Sequence, residues 1–212
     1  MARCAARDGI TAIVCTPHMD TFGNTVALSR HALVRKALQE RLNGEGIPLH
    51  LYGGAEWMVS EELVNVLQDL PEGRLARSDT FLFELSVFMQ PAVIGRLLFA
   101  ARLKGLTPLW AHPERHPAMM GHEELAQPVV DAGGWLQLTS GSLTGFFGKD
   151  VRRCAEALCT AFSGRVLLGS DAHDAERRVA ELQEGYAALN ALSPDLGDKV
   201  REKTAPLLHV II

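Results

Sequence analysis

Short apolar blocks recur along this chain, each followed by a polar stretch and then by apolar residues at helical spacing. Ile10–Cys15, Ile47–Tyr52, Thr80–Leu85, Thr107–Ala111, Trp135–Leu138 and Val166–Leu168 are runs of the length and composition of buried strands. Between them the spacing predicts helices. Val26–Leu42 presents Leu28, Leu33 or Val34, Leu38 and Leu42 to the core, and Glu61–Leu70 is a short helix capped by Ser60. Another starts at Pro91 and buries Ile94, Leu97, Leu98, Ala101 and Leu103. The remaining predicted helices are Glu123–Ala132, Lys149–Phe162, Glu176–Leu192 and Asp195–Lys203. Residues 1–8 read as the end of a helix stopped by Gly9, so on this reading the chain begins inside an element. Glycine or proline punctuates almost every junction, and a loop is expected around Gly23.

Strands alternating with helices give an α/β fold with a parallel sheet. The pattern suits an open doubly wound sheet or a barrel. Polar residues at several strand ends favour the barrel, because an open sheet gathers its site at one switch point. No G-x-G-x-x-G or Walker A loop is present, so a nucleotide cofactor has no support.

The chemistry sits at those strand ends. Thr16-Pro17-His18 follows the first strand, Gly54-Ala55-Glu56 the second, Ala111-His112-Pro113-Glu114-Arg115 the fourth and Gly169-Ser170-Asp171-Ala172-His173 the sixth. One histidine at such a place is usually structural. Three at equivalent places, joined by Glu56 and Asp171, point to a metal site of His18, Glu56, His112, Asp171 and His173. Mixed imidazole and carboxylate donors suit manganese, iron or zinc. Arg115, and Arg177 or Arg178, lie close in sequence to these ligands and offer forks for phosphate oxygens. Glu84, Ser86 and Ser140 are expected only to line the pocket. Trp57 and Phe88 fit ordinary core packing better than an aromatic wall.

Composition narrows the classes. Of the 212 residues 47% are hydrophobic, enough for a sizeable core, and the net charge of -4 argues against a nucleic-acid partner. No apolar run reaches the roughly 18 residues of a membrane span, and no secretory signal opens the chain. Cys4, Cys15, Cys154 and Cys159 are scattered and read as reduced, buried thiols of a cytoplasmic protein. None sits in a C-x5-R phosphate loop.

Taken in order, T-P-H, G-A-E, A-H-P-E-R and G-S-D-A-H resemble the polymerase and histidinol phosphatase (PHP) family, in particular its bacterial capsule and exopolysaccharide protein-tyrosine phosphatases. The resemblance runs from Gly9 to about the last helix. It implies a distorted seven-stranded TIM-like β/α barrel over residues 1–212 as one metallophosphatase domain. It implies two or three ions, usually manganese, with His18, Glu56, His112, Asp171 and His173 as ligands and Glu56 bridging. Arg115 and Arg178 would hold the phosphate. The implied substrate is a phosphotyrosine protein, namely a bacterial tyrosine kinase controlling polysaccharide export. A small-molecule phosphatase of the histidinol-phosphate type and a catalytically impaired binding module of the same fold are the alternatives, and the oligomeric state is left open. The family's opening D-x-H-x-H strand has no counterpart here. Six predicted strands are one short of seven, so the expectation is a barrel lacking its first β/α segment, with reduced activity.

Overall fold

The structure, a computed structural model, describes residues 1–20 and 24–208. Gly23 and His209 lie outside the described residues. The elements are α1 (Ala2–Arg7), β1 (Ala12–Cys15), β2 (His18–Met19), α2 (Asn24–Gly44), β3 (His50–Gly53), β4 (Glu56–Met58), α3 (Leu63–Asp69), β5 (Thr80–Glu84) and α4 (Ile94–Leu103). They continue with β6 (Thr107–Ala111), α5 (Gln127–Asp131), β7 (Trp135–Thr139), α6 (Ser140–Thr144), α7 (Lys149–Ala161), β8 (Val166–Gly169), α8 (Gln183–Leu192) and α9 (Leu196–Leu208).

All strand pairings are parallel. Six strands run in the order β2-β4-β5-β6-β7-β8, and β1 pairs with β3 beside them. Beyond the first two predicted strands the pairing resumes after a break: Thr16-Pro17 separates β1 from β2 and Gly54-Ala55 separates β3 from β4, yet both halves keep one register, with Ala12 facing His50 and His18 facing Glu56. Each of the six predicted strands is therefore present. His18, at one end of the six-stranded sheet, has its ring 6.2 Å from that of His173, just beyond the other end. The sheet is curled far enough to bring its edges together, as a distorted TIM-like fold requires.

Register explains why the strands are apolar on both faces. Leu82 of β5 lies opposite Leu109 of β6. These two, with Ala111, Leu167 and Leu75, form a small buried cluster inside the curl. The alternate residues Phe81, Phe83, Trp110, Leu136, Leu138, Val166 and Leu168 belong to the large cluster shared with the helices. Strands buried on two sides lose the alternating pattern and read as continuous apolar runs.

Several local expectations change. Leu28 and Leu42 of α2 are buried, but Leu33, Val34 and Leu38 are exposed. Polar residues of α2 explain its orientation: Gln39 donates to the Leu49 carbonyl and accepts from the Leu51 N–H, while Arg35 donates to the Leu51 carbonyl. The helix thus satisfies the outer backbone of β3 and turns the three aliphatic side chains outward. Leu103 likewise faces solvent. Ser60 does not cap α3, whose N-cap is Glu62, and its buried hydroxyl has no partner among the described residues. Residues 176–182 are not helical; α8 begins at Gln183, where Asp8 accepts from the Leu182 and Gln183 N–H groups. Only Cys154 and Cys159 are fully buried, Cys4 and Cys15 being intermediate. Gly9, at φ +83°, ends α1 as expected.

Trp57 is fully buried and its indole N–H donates to the Gly73 carbonyl at 2.8 Å. A Cβ at Gly73 would lie 2.6 Å from the indole ring. Gly73→Ala is expected to lower stability by about 2 kcal/mol through overpacking. Chemical denaturation checks this, and an unchanged midpoint would show that the 71–73 turn does not press on Trp57.

Candidate active site

Four strand ends supply one cluster of donors. His18 opens β2, just beyond the end of β1, and faces Glu56, which opens β4, directly across the β2–β4 pairing. Glu84 lies two residues beyond the β5 position opposite Glu56, so both carboxylates emerge on the inner side of the curl. One ligand atom each from His18, Glu56 and Glu84 falls within 4.8 Å of the others. His18 Nδ1 is 2.8 Å from Glu84 Oε1, and His112 Nε2 is 2.7 Å from Glu56 Oε1 and 4.0 Å from Glu84 Oε2. Imidazole and carboxylate donors gathered this closely could hold a metal ion, with His112 beside them.

His112 reaches the cluster through its backbone. Ala111 faces inward, so strand alternation would turn His112 outward. Instead His112 adopts φ +38° and ψ +50°, a left-handed conformation that breaks the alternation. Asp171 is also left-handed at φ +49°. Such backbone costs on the order of 1 kcal/mol for a residue other than glycine and concentrates at functional sites.

Asp171 and His173 form a second group beside the first. Asp171 Oδ2 accepts from Arg115 at 2.6 Å and also from Arg178. Asp171 Oδ1 lies 3.7 Å from His173 Nδ1, and the His173 ring approaches His18. The loop that carries these residues is tied to itself. Asp174 accepts from the N–H groups of Glu176, Arg177 and Arg178, and the His173 N–H donates to the Arg178 carbonyl. Those N–H donors, Arg177's foremost, hold the Asp174 carboxyl below its usual range.

The two groups share one neighbourhood. A cavity of about 300 Å³ is lined by Glu84, Ser86, His112 and Arg115 among others. A second, of about 170 Å³, has Ser140, Phe146, Phe147, Arg177 and Arg178 in its wall. Of the residues singled out from sequence, all five candidate ligands and both arginines thus lie in these two adjoining groups. Glu84, expected only to line the pocket, also lies within this group of potential ligand atoms. Its signal was a carboxylate at the end of an apolar strand. Trp57 is core, whereas Phe88 is 94% exposed and belongs to neither core nor site.

Glu114, between His112 and Arg115, has a separate task. It is fully buried and accepts from the Thr139 N–H at 2.9 Å and the Ser142 hydroxyl at 2.6 Å. Burial pushes its carboxyl above the usual range. It therefore ties the 112–115 turn to the start of α6 and holds the two site-bearing segments together.

Residues 1–203 match the family model for capsular polysaccharide synthesis, CpsB/CapC. The chain belongs to this family. The tyrosine-protein phosphatase YwqE of Bacillus subtilis is 36% identical over 210 residues, covering 94% of this chain and 77% of YwqE. CapC of Staphylococcus aureus is 23% identical over 180 residues, covering 85% and 70% of the two chains. A chain from the crystal structures of YwqE and of CpsB from Streptococcus pneumoniae, described as unique metal-dependent tyrosine phosphatases, superposes with a TM-score of 0.87. It is 32% identical, and the match covers all of this chain and 87% of that one.

Glu114→Gln keeps an oxygen for both hydrogen bonds, whereas Glu114→Ala leaves the Thr139 N–H and Ser142 hydroxyl buried without a partner. The alanine variant is expected to lose about 2–3 kcal/mol and the glutamine variant clearly less. Thermal denaturation of both checks this; equal losses would mean that the carboxylate oxygen is not what joins the two segments.

Proposed function

We propose that this chain is a metal-dependent phosphatase of phosphotyrosine in proteins, acting in capsular polysaccharide synthesis. The observation that carries the reading is the convergence of His18, Glu56, Glu84 and His112 from four strand ends, beside two guanidiniums that share one carboxylate. The names of its relatives and the close match of fold support the same activity.

His18, Glu56, Glu84 and His112 would hold metal, with Asp171 and His173 completing the set and Glu56 as the bridging carboxylate. Manganese suits these donors, as iron or zinc would. Such ions, when bound, would lower the pKa of water so that hydroxide is available near neutral pH, and would neutralise charge on the phosphoryl oxygens. The chain's own part is to bind and orient the phosphate. Arg115 and Arg178 each spend one N–H on Asp171 and keep the rest of the fork for phosphate oxygens. Asp171 thereby links the two tasks, since Oδ2 holds the arginines while Oδ1 faces His173.

Cys154 and Cys159 are buried in the core, away from the site. Burial pushes Cys154 and Cys159 up to about 12 and raises Cys15 as well. The proposed substrate is a bacterial tyrosine kinase that regulates polysaccharide export, and the proposed place of work is the cytoplasm. Among the described residues no helix is long and apolar enough to cross a membrane. Residues 1–212 are taken as one metallophosphatase unit.

A phosphotyrosine peptide should be turned over with added Mn²⁺ and not after chelation, and histidinol phosphate should be a poor substrate. Preference for histidinol phosphate would overturn the protein-phosphatase reading. Glu56→Gln and Glu84→Gln should each lower metal content and reduce kcat/KM by on the order of 100-fold. Arg115→Ala and Arg178→Ala should each reduce it about 30-fold, roughly 2 kcal/mol. Iodoacetamide should leave the rate unchanged; inactivation that phosphate protects against would point to a cysteine mechanism.

A further inference from the structure

The arginine pair has a third partner, which neither metal nor carboxylate chemistry requires. The Arg115 guanidinium carbon stands 5.0 Å from the centroid of the Phe147 ring, and that of Arg178 stands 5.8 Å from the same centroid. Two cations on segments far apart in sequence therefore meet both at one carboxylate oxygen and at one aromatic ring. Two positive charges drawn together in this way repel each other. Asp171 offsets part of that repulsion, and the negative face of the ring stabilises each cation further.

The surrounding backbone is shaped to hold the ring there. Helix α6 ends at Gly145, which takes φ +87°, and Gly148 takes φ +97°, so the two phenylalanines sit between two left-handed glycines. The Phe146 N–H donates to the Gly141 carbonyl at 2.8 Å. A Cβ at Gly141 would lie 3.2 Å from the Phe147 ring, so a glycine there leaves room for it. Phe146 meets the Phe147 ring edge-on, with centroids 5.0 Å apart and an 83° angle between planes. The ring is thus backed by Gly141 and Phe146 and offers itself to the guanidiniums.

We propose that Phe147 is a positioning residue for the phosphate-binding pair: its ring fixes the guanidiniums of Arg115 and Arg178 so that their free N–H groups converge on one phosphate. This deepens the phosphatase reading and rests on it. Arginine side chains are rich in rotamers, and ordering them on binding costs affinity unless they are already held. A flat π surface holds a planar guanidinium by stacking, which an aliphatic side chain of similar bulk cannot do.

Orthovanadate, titrated by calorimetry into the Mn²⁺-loaded chain, reads anion binding without turnover. Phe147→Leu should weaken vanadate about tenfold, and Phe147→Tyr should restore it to within about threefold. The melting temperatures of both should stay close to that of the parent. kcat/KM for a phosphotyrosine peptide should follow the same order. Wild-type affinity in Phe147→Leu, or equal weakening in Phe147→Leu and Phe147→Tyr, overturns the proposal. Arg115→Ala and Arg178→Ala in the same titration separate the two levels. If they lose affinity while Phe147→Leu does not, the ring alone has been misread. If they bind vanadate as the parent does, the phosphate reading itself fails, and this proposal with it.

Discussion

Everything at the site depends on parallel pairing with one uninterrupted register. Because β1 and β3 keep the same offset as β2 and β4, His18 stands beside Glu56 even though Thr16-Pro17 and Gly54-Ala55 break both strands. The next pairing then carries Glu84 to the same inner side. A slip of one residue would turn either carboxylate into the apolar layer behind the sheet, where an unpaired charge is costly. The buried leucines inside the curl and the aromatic residues outside it hold that register in place.

On this frame the turns do the fine placement. Left-handed backbone at His112 aims its side chain against the direction that strand alternation would give it, and Asp171, in the loop beyond β8, is left-handed as well. Glu114 anchors the first turn to α6, and Asp174 winds the second back on itself. The result is a division of labour across a short distance. Imidazoles and carboxylates gather on one side, and guanidiniums held by Asp171 on the other. Strain in the backbone and charge in a buried place are both unfavourable alone. Each is offset here by the hydrogen bonds of the same small group.

Much of this was legible in the chain itself. The six strands and the polar residues that follow them could be read because apolar runs, glycines and prolines mark them without reference to distant residues. His18, Glu56, His112, Asp171 and His173 stood out as polar residues ending such runs. What stayed hidden depended on contacts remote in sequence. The exposure of Leu33, Val34 and Leu38 follows from Gln39 and Arg35 bonding to β3, which no helical periodicity reveals. Glu84 becomes a candidate ligand only once β5 is placed beside β4. Phe147 looks like one more apolar residue after α6 until both arginines are seen above its ring.

The central claim is that strand-end side chains, gathered by register, form a metal centre in this chain. The most direct measurement is an anomalous-difference map from crystals grown with Mn²⁺, recorded on either side of the manganese absorption edge. The account predicts manganese density among the side chains of His18, Glu56, Glu84 and His112, absent from crystals of Glu56→Gln. Manganese bound only elsewhere, or no density among these four residues at saturating Mn²⁺, would contradict it.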